Sequence, residues 1–188
     1  MNPLPPVPLQ AAAPWWRPTY GRSLVVRGGR PLSGVYPISG AKNAVLPLMI
    51  SALLTPHLVT LRNVPASLDV AVLSALLRRL GAEMHWSTTA AGLSVTICAD
   101  RLHPGSIDGD LVSRMRASVL VLGAMLGRCG EASLPMPGGD AIGLRGVDFH
   151  LTGLRAMGAE IELAAGLIVL PAILFLLNLS VSAWYWRQ

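Results

Sequence analysis

The chain has 188 residues, of which 52% are hydrophobic and 13% charged, enough apolar material for one ordinary domain with a buried core, and this excludes a disordered chain. Glycine (19) and proline (15) show no triplet period, and no heptad runs far enough for a coil, so collagen-like and coiled-coil architectures are excluded too. The formal charge of +5 would suit nucleic acid if it clustered, but the basic residues spread from Arg17 to Arg187 and aromatics reach only 5%, so no nucleic-acid partner is expected.

Residues 1–21 carry proline at positions 3, 5, 6, 8, 14 and 18 and read as an extended, Pro-rich flexible leader. They lack a basic stretch followed by an apolar run, so no secretory signal is expected and a cytoplasmic location is the default. Next, LVVRGG and VYPIS read as two short strands flanking a turn at Pro31 to Gly34, a hairpin. In AKNAVLPLMISALL apolar side chains point in nearly every direction, which predicts a buried helix with Pro47 tolerated near its first turn. LVTLRNVP then reads as a strand. Asp69 offers an N-cap to a helix striped by Val70, Leu73, Leu76, Leu77 and Leu80; Arg78 and Arg79 suit its C-terminal dipole and Gly81 stops it. Glu83 to Ile97 reads as two strands around a polar turn.

The same order of parts then recurs. Arg116-Ala-Ser-Val-Leu-Val-Leu matches Lys42-Asn-Ala-Val-Leu-Pro-Leu, and Met157-Gly-Ala-Glu matches Leu80-Gly-Ala-Glu, while Asp148, Leu151 and Leu154 mirror Asp69 and its leucines. Two copies of a strand-helix-strand-helix-strand unit are predicted, the second differing chiefly by an inserted loop, Pro135 to Gly146, with four glycines and two prolines, a composition suited to a mobile lid. Residues 167–186 hold no charge and reach the length of a membrane span; Trp184, Tyr185 and Trp186 resemble an interfacial anchor. Against a span stand Pro171, Asn178 and the strand-like Leu167 to Leu170, and membrane contact by this tail is the minority expectation.

Lys42 is the single lysine in a chain that otherwise uses arginine, and it lies at a predicted helix start, where backbone N–H groups and the helix dipole favour an anion. It is either a phosphate or carboxylate ligand or a solvated turn residue, and the avoidance of lysine elsewhere favours the ligand. Asn43 either meets a hydroxyl or caps the helix. Arg116 occupies the position equivalent to Lys42, so a divided anion site is expected, whereas Arg114 reads as a surface residue pointing elsewhere on the same helix. Arg145 closes the glycine-rich loop and is either a fork for a diphosphate or a solvated loop arginine. Asp140 serves as a turn former or, once desolvated, as a proton donor. Cys98 and Cys129 have apolar neighbours and read as core residues. His57, His85, His103 and His150 lack partners at ligand spacing and read as surface or cap residues, so no metal is expected.

SGAKNA at 39–44, RNVP at 62–65, LLRRLGAE at 76–83, MRAS at 115–118, PGGDAIGLRGVDFH at 137–150 and LRAMGAEIE at 154–162 together resemble one family, UDP-N-acetylglucosamine 1-carboxyvinyltransferase, over about residues 22–170. The loop PGGDAIG follows this branch, which disfavours the sister enzyme acting on shikimate phosphate. The resemblance implies an α/β fold, an inside-out α/β barrel of which this chain holds about two of the repeated units in a partial domain at 22–170, followed by an apolar tail at 171–188 that is a membrane segment or an aberrant C-terminus. It implies transfer of the enolpyruvyl group from phosphoenolpyruvate to the 3-hydroxyl of UDP-N-acetylglucosamine, the first committed step of peptidoglycan synthesis, with no cofactor. By the same token Lys42 holds the phosphoenolpyruvate phosphate, Asn43 lies by the sugar, Arg116 and Arg145 contact anionic groups, and Arg145, Gly146, Val147, Asp148 and Phe149 border the uridine. Asp140 stands where the family usually has its cysteine proton donor; kept protonated by desolvation it would supply the proton and leave no thiol for epoxides such as fosfomycin. The family is well over twice as long, so a separate C-terminal half is an expected partner. The alternative is a non-catalytic remnant, held on a membrane by its tail or not, that binds nucleotide-sugar weakly or not at all.

Overall fold

A computed structural model describes residues 28–29, 31, 33–36, 38–89, 92–104, 107, 109–139, 146–164 and 167–170. The leader at 1–21, LVVR (24–27) of the predicted hairpin and everything after Leu170 lie outside the described residues. Leu167–Leu170, the start of the possible span, is a β-strand, and among the described residues no helix is long and apolar enough to cross a membrane.

Two units follow one another. The first runs α1 (Lys42–Ser51), a 3-10 turn (Ala52–Leu54), β1 (Val59–Leu61), α2 (Leu68–Arg79), β2 (Glu83–Thr89) and β3 (Gly92–Cys98). The second runs α3 (Gly109–Ser113), a 3-10 turn (Arg116–Val119), α4 (Leu120–Cys129), β4 (Ala132–Pro135), α5 (Asp148–Ala156), β5 (Glu162–Ala164) and β6 (Leu167–Leu170). Each builds a three-stranded antiparallel sheet with its last strand in the middle, in the order β1-β3-β2 and β4-β6-β5. The predicted repeat is therefore present, but among the described residues each unit opens on a helix and closes on a strand pair, instead of opening on a strand. The inserted loop separates β4 from α5, Met136 to Val147, where the first unit needs only Arg62 to Ser67. Among the described residues the two sheets close no barrel, in keeping with an incomplete α/β fold.

The repeat is legible at the level of single hydrogen bonds. After α2 the Gly81 N–H donates to the Arg78 carbonyl (3.0 Å) and Ala82 N–H to Leu77 (3.0 Å); after α5, Gly158 donates to Arg155 (2.9 Å) and Ala159 to Leu154 (3.0 Å). Both glycines take a left-handed conformation, φ +98° and +96°, which lets the helix end and the chain turn into the next strand without a Cβ clash. The predicted N-cap at Asp69 is corrected. Ser67, in extended conformation, accepts the Val70 N–H on its Oγ (3.3 Å), and Asp69 falls one residue inside the helix, in its first turn.

One connected core joins the units: Met49, Leu53, Leu73, Leu77 and Ile97 of the first pack in the same cluster as Leu122, Met125, Leu126, Leu134 and Ile168 of the second. Each fully buried Leu or Met contributes roughly 1.5–3 kcal/mol relative to exposure. The α1 helix packs on α2 and α4, burying Val45, Leu46, Met49 and Ile50. It is not buried all round, as its apolar composition predicts; Leu48, and Leu54 just beyond, stay more than half exposed or close to it, because no described layer covers that face. Pro47 lies in the second turn, where it removes the i→i−4 bond that the Asn43 carbonyl would accept. VYPIS forms no strand among its described residues, and Val35, Tyr36 and Ile38 are almost wholly exposed: no described strand lies beside them to pair with. Cys98 and Cys129 are half-buried; Cys129 packs against the core as expected, whereas Cys98 does not. Cys98 follows the buried Ile97 in β3 and so faces the opposite side of the sheet, with Sγ towards the Pro56 carbonyl (3.8 Å).

Candidate functional site

Four helix beginnings meet around one open cavity of about 580 Å³: α1 with Lys42 and Asn43, α2 with Asp69, the 3-10 turn that leads into α4 with Arg116 and Ala117, and α5 with His150. Helix beginnings carry unpaired N–H groups and the positive end of the dipole, so their convergence makes the cavity favourable for an anion before any side chain is counted. The side chains strengthen this. Among the described residues Lys42, Arg114 and Arg116 line the wall together with one acid, Asp69, whose Oδ2 stands 2.7 Å from Lys42 Nζ. Arg114 is ion-paired to Asp110 one turn before it in sequence (2.6 Å). Leu46, Met115 and Val119 supply the apolar floor.

Lys42, Asn43 and Arg116 are thus brought together as the repeat predicts. Asp140 and Arg145 lie outside the described residues, but the chain on either side of 140–145 is fixed at Arg116. On the entering side Gly138 and Gly139 donate their N–H groups to the carbonyls of Val112 (3.4 Å) and Ser113 (2.9 Å), and Gly139 lines the cavity against the Arg116 backbone. At Gly138 a Cβ would stand 1.8 Å from the Ser113 carbonyl oxygen, so only glycine fits that approach. On the leaving side the Arg116 guanidinium donates to the carbonyl of Gly146. Of the five residues expected at the uridine end, Arg145 lies outside the described residues, Val147 is buried and Gly146, Asp148 and Phe149 are exposed, Phe149 at 85%; none of the four described ones lines the cavity.

Three residues of the wall escape the sequence reading. Arg114 is not on the helix of Arg116 but in the turn after α3, so its side chain joins the cavity instead of pointing away. His150, expected at the surface or in a cap, is exposed but lines the cavity from the first turn of α5. Asp69 reads as a cap, yet its place in the first turn of α2 turns it towards the first residue of α1; two repeat-related helix starts were the available signal.

The sequence profile of the EPSP synthase family (3-phosphoshikimate 1-carboxyvinyltransferase) matches residues 26–180. The chain is 46% identical over 155 residues to the UDP-N-acetylglucosamine 1-carboxyvinyltransferase of Rhodospirillum centenum, covering 79% of this chain and 36% of that one. It is 50% identical over 143 residues to the protein of the same name from Acidiphilium cryptum, covering 76% and 33%. Among solved structures it is similar to the enolpyruvyl transferase NikO from Streptomyces tendae, with a TM-score of 0.62 and 28% identity over 77% of this chain and 31% of NikO. The chain therefore spans about a third of the length of the curated relatives it matches.

Proposed function

Because the chain belongs to the enolpyruvyl transferase family, that of the UDP-N-acetylglucosamine 1-carboxyvinyltransferases, we propose that it serves in transfer of the enolpyruvyl group of phosphoenolpyruvate to the 3-hydroxyl of UDP-N-acetylglucosamine, the first committed step of peptidoglycan synthesis, in the cytoplasm. The observation that supports this most is the pair of repeat-related cations, Lys42 and Arg116, on one cavity wall at converging helix starts. We assign this role to residues 22–170, with 1–21 as leader and 171–188 as tail.

In this reading Lys42 holds the phosphate of phosphoenolpyruvate as a point charge, while Arg116 and Arg145 bring planar forks to the anionic groups of the two ligands. Asn43 lies by the sugar, and the stretch from Arg145 to Phe149 borders the uridine. The sugar oxygen forms a bond to C2 of phosphoenolpyruvate, its proton passing to a carboxylate base outside this stretch, as Asp140 gives a proton to the C3 methylene. The tetrahedral adduct then collapses: the C2–O bond to phosphate breaks with its electron pair on the leaving phosphate, C3 returns its proton, and the enol ether is left. Holding both reactants at fixed helix starts supplies the proximity, and the cations offset charge on the departing phosphate.

Phosphate release, measured with both substrates for the chain alone and with a polypeptide carrying the other two thirds of a relative, tests this. Turnover in the paired sample should fall at least about a hundredfold in Asp140→Ala and in Lys42→Ala, and should survive excess fosfomycin. Undiminished turnover in both variants would contradict these roles. A second reading is binding of nucleotide-sugar without turnover; calorimetric binding with no phosphate release in either sample would favour it.

A further inference from the structure

Asp69 sets an acid into a cavity whose other charged residues, among those described, are the cations Lys42, Arg114 and Arg116, and nothing in the reaction above uses it. Its Oδ2 holds Lys42 Nζ at 2.7 Å. Two features make that contact exchangeable. The side chains are 53% and 32% exposed, and an ion pair with that much access to water contributes little net stability. Asp69 also lies in the first turn of α2, two residues after the capping Ser67, where the helix dipole favours a carboxylate whether or not the ammonium stays.

Resting on the phosphate site described above, we propose that Asp69 is a specificity-determining residue, a resident counter-ion that Lys42 yields to a dianionic phosphate and keeps against monoanions. A monoanion offers the ammonium no more charge than the carboxylate already there, and it must also give up hydration and free motion, which the tethered carboxylate has already lost. A dianion offers twice the Coulomb attraction at the same separation, and Arg116 shares it. The cavity is thereby kept from filling with chloride or organic monoanions, and it is a phosphoryl group, not the carboxylate of a three-carbon acid, that Lys42 selects.

Lys42 is the chain's single lysine, so [ε-13C]lysine labelling gives one ε-carbon signal that reports on it alone. At about pH 8, where a phosphate has lost its second proton, and at constant ionic strength, that signal is titrated with inorganic phosphate and with methanesulfonate, a tetrahedral monoanion. The parent chain should prefer phosphate by about tenfold or more; Asp69→Asn should bind methanesulfonate about three- to tenfold more tightly and lose that much of the preference. Asp69→Ser, which keeps a residue suited to a helix start, should behave alike and guards against a misfolded Asn variant. Response in all three proteins with an unchanged ratio, or weaker binding of both ions in the variants, overturns the inference alone. A parent signal that ignores phosphate overturns the function proposed above and the inference with it.

Discussion

In the first unit the cation that begins the repeat helix, Lys42, reaches an acid in the first turn of the next helix, Asp69; in the second unit the matching cation, Arg116, donates instead to the backbone carbonyl of Gly146, and the matching acid, Asp148, is exposed. The backbones that carry these groups are near copies, down to the hydrogen bonds at Gly81 and Gly158. The difference lies in what each cation holds. A solvent-accessible side-chain counter-ion can be traded for a ligand, whereas a bond to a backbone carbonyl ties down a loop. One duplicated scaffold thus places a solvent-accessible ion pair at the helix start of its first copy and a side-chain-to-backbone hydrogen bond at that of its second.

The largest expected effect asks whether the copies are separable at all. Leu77 and Leu126 are fully buried in the shared core, so Leu77→Ala and Leu126→Ala should each cost about 2–5 kcal/mol and shift one common transition in urea. Two transitions followed by separate probes would break the picture of a joint core. Next come the paired glycines. Gly81→Ala forces a left-handed alanine and sets a Cβ 2.2 Å from the Arg101 carbonyl oxygen, and should cost about 3 kcal/mol. Gly158→Ala meets the same left-handed strain, at least about 1–2 kcal/mol, so both variants should melt below the parent.

Arg116→Leu sharpens the fastening role. Without its donor to Gly146, cleavage within 140–145 by a protease of broad specificity should quicken about tenfold, the loss of one charge-assisted bond, while Lys42→Ala leaves cleavage unchanged. The smallest effect concerns Cys129 at the end of α4. Burial pushes its thiol up, with Arg128 opposing, so its thiolate, the reactive form, accumulates only above the ordinary thiol range. Its alkylation by iodoacetamide should be slow at neutral pH and keep accelerating as pH rises past that range; a rate already at its plateau near neutrality would contradict the burial of the thiol.

The duplication, the helix at Leu68–Arg79, the strand pair from Glu83 and the juxtaposition of Lys42 with Arg116 were all readable from residue order, because each rests on local periodicity or on a repeated motif. What escaped was set by neighbours distant in sequence. A serine two residues earlier took the cap that Asp69 could have filled, which freed the acid for Lys42. A break between α3 and the 3-10 turn rotated Arg114 into the cavity, and the first turn of α5 brought in His150. The strand character of VYPIS was overruled for the opposite reason: Val35, Tyr36 and Ile38 are exposed, with no described strand to complete a ladder.

Calorimetric titration of the chain with phosphoenolpyruvate decides whether Lys42 and Arg116 grip one anion, as proposed. Lys42→Ala and Arg116→Ala should each weaken binding by about tenfold or more, with the double variant showing no measurable heat. Binding that survives unchanged in either single variant would contradict it.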